Sequence, residues 1–67
     1  MSYRETMFKG MLIGMKNSGA ELVKTSSTHL YFTVKKGSIL DNDDSMQRAK
    51  EAFYKLFQLG VKIKKID

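Results

Sequence analysis

The sequence contains no cysteine, no proline and no tryptophan, and it has a single histidine among 67 residues. Without cysteine the chain has no disulfide bond, no thiolate metal ligand and no thiol nucleophile, and a cytoplasmic location is the expectation. One histidine supplies too few ligands for a zinc site. No apolar run approaches the ~18 residues of a membrane-spanning helix, and the first residues do not show a secretory pattern. We therefore expect that the protein binds no metal ion and no cofactor and that it does not insert into a membrane.

The remaining composition is that of one small folded domain over residues 1–67. Hydrophobic residues make up 42% of the chain and charged residues 28%, which is too apolar for a disordered segment. A domain of this size buries only about 60% of the surface of its unfolded chain, so its stability should be low unless it forms an oligomer. A homodimer is therefore one expected state.

Basic residues outnumber acidic ones, 12 against 7, and the acids are concentrated. Asp41, Asp43 and Asp44 lie within four positions, so the rest of the chain carries 12 basic residues against 4 acidic ones. Phosphate backbones attract such a surface, because their condensed counterions are released when lysine or arginine binds. The charge distribution thus favours a nucleic acid as a partner, although many small basic proteins do not bind one.

The first helix is predicted over residues 3–17. Ser2 and Glu5 have the spacing of a capping box, in which the two side chains satisfy free amide groups at a helix start. Gly19 can take the positive φ that ends a helix. One face of the helix repeats apolar residues at the spacing i, i+3, i+4, i+7, and these are Phe8, Met11, Leu12 and Met15.

The next two segments predict a β-hairpin. Strands are expected at residues 20–25 and 28–36, with a polar turn at Ser26 and Ser27 between them. The residues of the second strand alternate, which indicates one buried and one exposed face. The buried set is Leu30, Phe32 and Val34, and the exposed set is His29, Tyr31, Thr33 and Lys35.

A second helix and a third strand complete the predicted fold. Asp43 or Asp44 is expected to cap the helix, whose apolar stripe ends before Gly60, a residue type common just after a helix. The third strand, residues 61–66, alternates apolar residues with lysines, which suits an exposed edge. The order α-β-β-α-β favours an α+β domain with a three-stranded antiparallel sheet and both helices packed on one face.

The acidic segment that begins at Asp41 does not fit a calcium loop. An EF-hand starting there would need glycine at its sixth position and glutamate at its twelfth, where this chain has Met46 and Ala52. The sequence also lacks a P-loop and a G-x-G-x-x-G motif, so a dedicated nucleotide-binding fold is not supported. A capped helix start explains these acids better.

Gly10 and Gly14 are four residues apart and share one side of the first helix. This spacing allows another backbone to come close, and two partners are open: the sheet of the same domain, or the helix of a second copy. The methionines at positions 7, 11 and 15 follow the same helix and are expected in the core.

His29 is the single residue that can act as a general base near neutral pH. It lies on the predicted exposed face, beside Tyr31. A histidine placed there can remove the proton of a 2′-hydroxyl, so that the oxygen attacks the adjacent phosphate while lysine or arginine stabilises the developing charge. The alternative is a solvent-facing strand histidine without a catalytic role.

Lysines supply a candidate phosphate-binding surface if the third strand lies near the hairpin. Tyr31 adds a ring on which an unpaired base can stack. The alternative is that the lysines serve solubility and protect a sheet edge. The candidate nucleic-acid-binding residues are Tyr31, Lys35, Lys36, Lys62, Lys64 and Lys65, with Lys50 and Lys55 as further contributors.

The segment Ser27-Thr28-His29-Leu30-Tyr31-Phe32 resembles a motif of the HicA-type toxins, small endoribonucleases that cleave mRNA and are paired with antitoxins. The family motif reads G-S-H-x-x-aromatic at the start of a strand. In this chain serine replaces the glycine and threonine replaces the serine, whereas the histidine and the aromatic residue are kept. Residues 19–24 are also similar, and the likeness covers residues 7–34.

The resemblance implies a metal-independent endoribonuclease in which His29 matches the catalytic histidine and Thr28 supplies a hydroxyl group at the RNA-binding site. It also implies the double-stranded-RNA-binding-like fold, with two helices on one face of a sheet, and an antitoxin as protein partner. The chain departs from the family after Val34. The family has a third strand before its second helix, whereas here the acidic loop leads directly into the helix.

A non-enzymatic function is the alternative. A small regulator or inhibitor of a host or viral protein machine would bind its partner through the helical face or an open sheet edge. Such a protein would expose an apolar patch around Met7, Met11 and Met15, and the same patch suits a homodimer.

Overall fold

A computed structural model describes residues 2–67 of the chain. Along this part the element order is α-β-β-α-β, which confirms the predicted α+β fold. No helix in that range is long and apolar enough to cross a bilayer. The helices are α1, Tyr3–Asn17, and α2, Asp43–Phe57; the strands are β1, Ala20–Thr25, β2, His29–Lys35, and β3, Gly60–Ile66.

The strands of the described chain form one sheet in the order β1-β2-β3. β1 and β2 are antiparallel neighbours, as predicted. β3 pairs parallel to β2, with His29 opposite Gly60 and Lys35 opposite Ile66, so the prediction of an all-antiparallel sheet is wrong. β3 is parallel to β2 because α2 connects the two strands. The helix returns the chain to the end of the sheet where β2 starts, so β3 runs in the same direction as β2.

The hydrophobic core lies between the sheet and both helices. Leu30, Phe32 and Val34 of β2 are at most 3% exposed, which confirms the predicted alternation of this strand. α1 contributes Met15 and α2 contributes Phe53 to the same cluster, and the ring centroid of Phe53 lies 5.9 Å from that of Phe32. Both helices therefore cover the face of the sheet that carries these side chains. In the described chain, no helix covers the opposite face.

The start of α2 differs from the sequence-based expectation. The N-cap residue is Asn42 and not Asp43 or Asp44, because the side-chain oxygen of Asn42 accepts the backbone N–H of Ser45 at 2.8 Å. The two aspartates lie one step further along, in the first turn, where their charge faces the positive end of the helix dipole.

A residue with a positive φ angle follows each of the two helices. Gly19 follows α1 with φ 101°, as predicted, and a Cβ at this position would overlap the side chain of Ser38. Gln58 ends α2 with φ 55° and donates its backbone N–H to the carbonyl oxygen of Tyr54 at 2.8 Å. The helix ends before Gly60, as predicted, but Gly60 is not the residue that directly follows it; Gly60 is the first residue of β3.

Gly10 and Gly14 lie on a side of α1 with open space. A Cβ built on either glycine would have no neighbouring atom within 4 Å among the described residues, so of the two alternatives, close packing against the domain's own sheet is wrong. Met15 is buried in the core, whereas Met7 and Met11 are half-buried. Met15 is thus not available to a partner, and the other two methionines are partly available.

Candidate nucleic-acid interface

We call the face of the sheet opposite the helices the open face. Directly paired residues of neighbouring strands point to the same side of a sheet, so the register assigns its members. Lysines reach it from all three strands, and Glu21 is the only acid in the strands of residues 2–67. The open face comprises Glu21 and Lys24 of β1, His29, Tyr31, Thr33 and Lys35 of β2, and Gly60, Lys62, Lys64 and Ile66 of β3.

Tyr31 lies at the centre of this face, between lysines of both neighbouring strands. Its register partners are Lys24 in β1 and Lys62 in β3. The ammonium nitrogen of Lys24 lies over the Tyr31 ring, 5.8 Å from its centroid, within the range of a cation–π contact. Lys64 is the partner of Thr33, one same-face position further along. Exposed ammonium groups are therefore available on both sides of a half-buried aromatic ring.

Lys24 reaches the open face because β1 contains a β-bulge. The register shifts between Leu22 and Lys24, and Val23 has no partner in β2. Leu22 is half-buried opposite Phe32, and strict alternation would place Lys24 on that same core side. The extra residue places Lys24 opposite Tyr31 instead. No sequence pattern signals this bulge, and Lys24 is absent from the set predicted from the sequence.

Two of the predicted lysines, Lys36 and Lys65, do not join the open face. Lys65 is the register partner of Val34, whose side chain is in the core, and its ammonium nitrogen is 3.1 Å from a carboxylate oxygen of Asp41. Lys36 follows β2 and forms an ion pair of 3.0 Å with Asp67. A neighbouring carboxylate offsets each charge. The further candidates, Lys50 and Lys55, are exposed on α2, on the helical side of the sheet.

Asp41 has a structural role in the loop between β2 and α2. Its Oδ2 accepts the backbone N–H of Gly37 at 2.9 Å, and its Oδ1 forms the ion pair with Lys65. The hydrogen bond from Gly37 first, and the Lys65 ammonium second, hold the pKa of Asp41 below its ordinary value of 3.8. Nowhere within residues 2–67 do three or more histidine and carboxylate groups come close enough to hold a metal ion.

A short turn positions His29 at the start of β2. The backbone N–H of Ser26 donates to the carbonyl oxygen of His29 at 2.8 Å, and the Ser26 hydroxyl oxygen accepts the N–H of His29 at 3.0 Å. The carbonyl oxygen of Thr28 accepts the N–H of Gly60 at 2.8 Å, which ties the turn to β3. These bonds hold the backbone on both sides of the histidine.

The imidazole of His29 packs against Gly60. A Cβ at position 60 would lie 2.7 Å from Cδ2 of the histidine. On the other side of the ring, Nδ1 is 2.9 Å from the hydroxyl oxygen of Thr28. The ring centroid of Tyr31 is 6.2 Å away. When Nδ1 donates its proton to the Thr28 hydroxyl, Nε2 carries the lone pair that a general base needs.

Clefts are found on the helical side of the domain, away from the open face. One, of about 510 Å³, lies at the start of α1, where the Arg4 guanidinium is 5.5 Å from the centroid of the Phe57 ring. Another, of about 300 Å³, separates α1 from α2, and its lining residues are Met11, Gly14, Met15, Ser18, Ala49 and Phe53. Neither cleft includes a residue that the sequence predicts to bind RNA.

Comparison of the chain with protein-family models, with curated proteins and with solved structures finds no match. The resemblance to HicA-type toxins, and the RNA-binding and cleavage functions that it implies, stay predictions. A functional proposal therefore depends on the geometry of the open face.

Proposed function

We propose that the protein is a small cytoplasmic RNA-binding module whose binding surface is the open face. The observation that carries the proposal is the arrangement around Tyr31, which has lysines on both sides, Lys24 and Lys62, on a face with no helix over it in the described chain. Ammonium groups bind phosphate oxygens, and a ring between them offers a stacking surface to a base. Lys35 and Lys64 extend the basic surface along the strands.

On this surface, His29 is the proposed general base of a HicA-like endoribonuclease. Nε2 takes the proton of a 2′-hydroxyl, and the 2′-oxygen attacks the adjacent phosphorus. The 5′-oxygen leaves and takes a proton from water, which yields a 2′,3′-cyclic phosphate and a 5′-hydroxyl end. Lys24 and Lys62 lie on either side of Tyr31, which is the next residue of β2 after His29 on this face. They stabilise the negative charge that develops on the phosphate. The scheme needs no metal ion.

Titration of the purified protein into labelled, unstructured RNA at low and at physiological salt tests both parts of the proposal. Binding should weaken steeply with salt, because each phosphate contact releases counterions. If His29 is the base, the wild-type protein cleaves the RNA, and His29→Phe, which keeps an aromatic ring but has no proton acceptor, binds it without cleavage. Binding without cleavage by the wild type would retain the binding module and exclude the enzyme. Absence of binding at low salt would contradict the whole proposal.

Protein binding is the second candidate function, and the cleft between α1 and α2 favours it. Small or apolar residues line both sides, such as Met11 and Gly14 on α1 and Ala49 on α2. An antitoxin, another protein or a second copy of this chain are the candidate partners. Because a side chain at Gly14 meets open space, Gly14→Leu should fill the cleft without disturbing the core. A wild-type dimer that becomes monomeric in Gly14→Leu, measured by sedimentation, would support a homodimer; a monomeric wild type would exclude it.

A further inference from the structure

The rings of His29 and Tyr31 are neighbours on the open face. They belong to consecutive same-face residues of β2, with centroids 6.2 Å apart and planes inclined by 37° to each other. Both side chains are half-buried, so contacts within the sheet hold their positions. Opposite His29, Gly60 has no side chain that would cover the imidazole, and opposite Tyr31, Lys62 adds a cation.

The distance between these rings does not match the bases of a stacked helix. Successive bases in one strand of duplex DNA are about 3.4 Å apart along the helix axis, roughly half of the ring separation, and stacked RNA bases lie no further apart. A strand whose bases are splayed apart can place one base on each ring. Unpaired loops and ends are the RNA segments that present splayed bases to aromatic side chains, whereas duplex RNA is recognised through its shape and backbone.

We infer that His29 and Tyr31 form a two-base stacking platform for unpaired RNA, with the phosphates on the flanking lysines. The inference rests on the proposed function, since it names the kind of RNA that the open face binds. Lys24, whose ammonium nitrogen lies over the Tyr31 ring, moves to a phosphate when a base takes its place. His29 then serves as an aromatic surface, a role that a ring without titratable nitrogens performs equally well.

An unstructured oligoribonucleotide that contains 2-aminopurine tests the platform, because this base loses fluorescence when it stacks on a ring. We expect quenching on binding to the wild-type protein, and an affinity at least about tenfold lower for the same sequence annealed to its complement. The fluorescence of the wild-type complex does not depend on whether any variant folds.

Paired substitutions distinguish the effect of the aromatic ring on RNA affinity from the effect of side-chain size. Tyr31→Leu keeps an apolar side chain and should lower the affinity for unpaired RNA about 5- to 100-fold, whereas Tyr31→Phe should retain it. His29→Ala and His29→Phe form the same comparison at the second ring. Tyr54→Ala, at an exposed tyrosine of α2, is the control and should bind as the wild type does. Circular dichroism establishes that each variant is folded.

Equal affinity for unpaired and duplex RNA, without a change in 2-aminopurine fluorescence, would overturn the platform. If Lys62→Glu still weakens binding in that case, the proposed RNA-binding function stands and the platform alone is wrong. If the wild-type protein binds neither RNA at low salt, the platform and the proposed function are both wrong.

Discussion

The imidazole of His29 occupies the space that a side chain at position 60 would need. A Cβ on Gly60 would lie 2.7 Å from Cδ2 and 2.9 Å from Nε2 of the histidine, closer than Cβ atoms approach other heavy atoms. The two residues are register partners at the first position of parallel strands. Glycine at position 60 therefore allows the histidine ring to lie on the open face beside Tyr31.

Gly60→Ala should lower the free energy of unfolding by about 1–3 kcal/mol, because the added methyl group forces the imidazole or the strand to move. In a His29→Ala background the same change should cost almost nothing, since alanine suits a strand better than glycine once the space is free. Urea unfolding of the four proteins in this double-mutant cycle measures the coupling. Equal costs in the two backgrounds would show that the ring and the glycine are not in contact.

Asn42→Ala should lower the free energy of unfolding by about 1 kcal/mol, because it removes the acceptor for the backbone N–H of Ser45. Asp43→Asn is the comparison, and it should cost less, about 0.3–0.5 kcal/mol, because it removes only a charge near the helix dipole. Thermal unfolding at neutral pH ranks the two variants. A larger loss in Asp43→Asn would mean that the negative charge near the helix start, and not the Asn42 cap, contributes most to stability.

Gly10→Ala and Gly14→Ala should each raise the free energy of unfolding by about 1 kcal/mol, because alanine is the better helix former and a methyl group at either position meets no neighbour. Gly19→Ala should do the opposite, since residue 19 has φ 101° and a Cβ there overlaps Ser38. Urea unfolding measures all three. A loss of stability in either α1 variant would mean that the glycine face packs closely against another chain segment.

The bounds of α1 and β1 match the sequence-based prediction because short-range rules determine them. The S-x-x-E spacing places the start of α1 after Ser2, whose side-chain oxygen accepts the N–H of Glu5, and Gly19 ends the turn that follows. The direction of β3 depends instead on where α2 returns the chain. Alternation along a strand does not encode that long-range property, so the sequence alone did not predict a mixed sheet.

Some residues of the candidate site can likewise be predicted from local sequence patterns, whereas others depend on how the strands pair. Alternation along β2 correctly assigns His29 and Tyr31 to one face. Lys24 joins them only because a bulge adds one residue to β1, and a single extra residue reverses the side on which the next side chain lies. Adjacent lysines of a strand point to opposite faces, so of Lys64 and Lys65 only the first lies on the open face.

Asp41→Asn should destabilise the protein at neutral pH but not in strong acid. The Gly37 hydrogen bond, followed by the Lys65 ammonium, lowers the pKa of Asp41 in the folded state, so the unfolded chain binds this proton more readily. The stabilising contribution of the carboxylate is therefore present above its ordinary pKa of 3.8 and is lost as the pH falls through the lowered value.

Unfolding midpoints of the wild type and Asp41→Asn, measured from neutral pH downwards, should converge in acid. Asp67→Asn is the matched control, because its ion pair with Lys36 is exposed to solvent and should contribute little at any pH. An offset between wild type and Asp41→Asn that does not change with pH would contradict the role of the ionised carboxylate.

Binding of labelled unpaired RNA by two double variants of equal charge tests the central claim most directly. Lys62→Glu/Lys64→Glu changes the open face, and Lys50→Glu/Lys55→Glu changes the exposed side of α2 by the same amount. The open-face variant should lose at least about tenfold in affinity. The slope of the logarithm of its binding constant against the logarithm of salt concentration should become smaller in magnitude by roughly 0.7 for each phosphate contact removed. The α2 variant should bind nearly as the wild type does. Equal loss in the two variants would mean that the RNA responds only to net charge, and the open face would not be the binding surface.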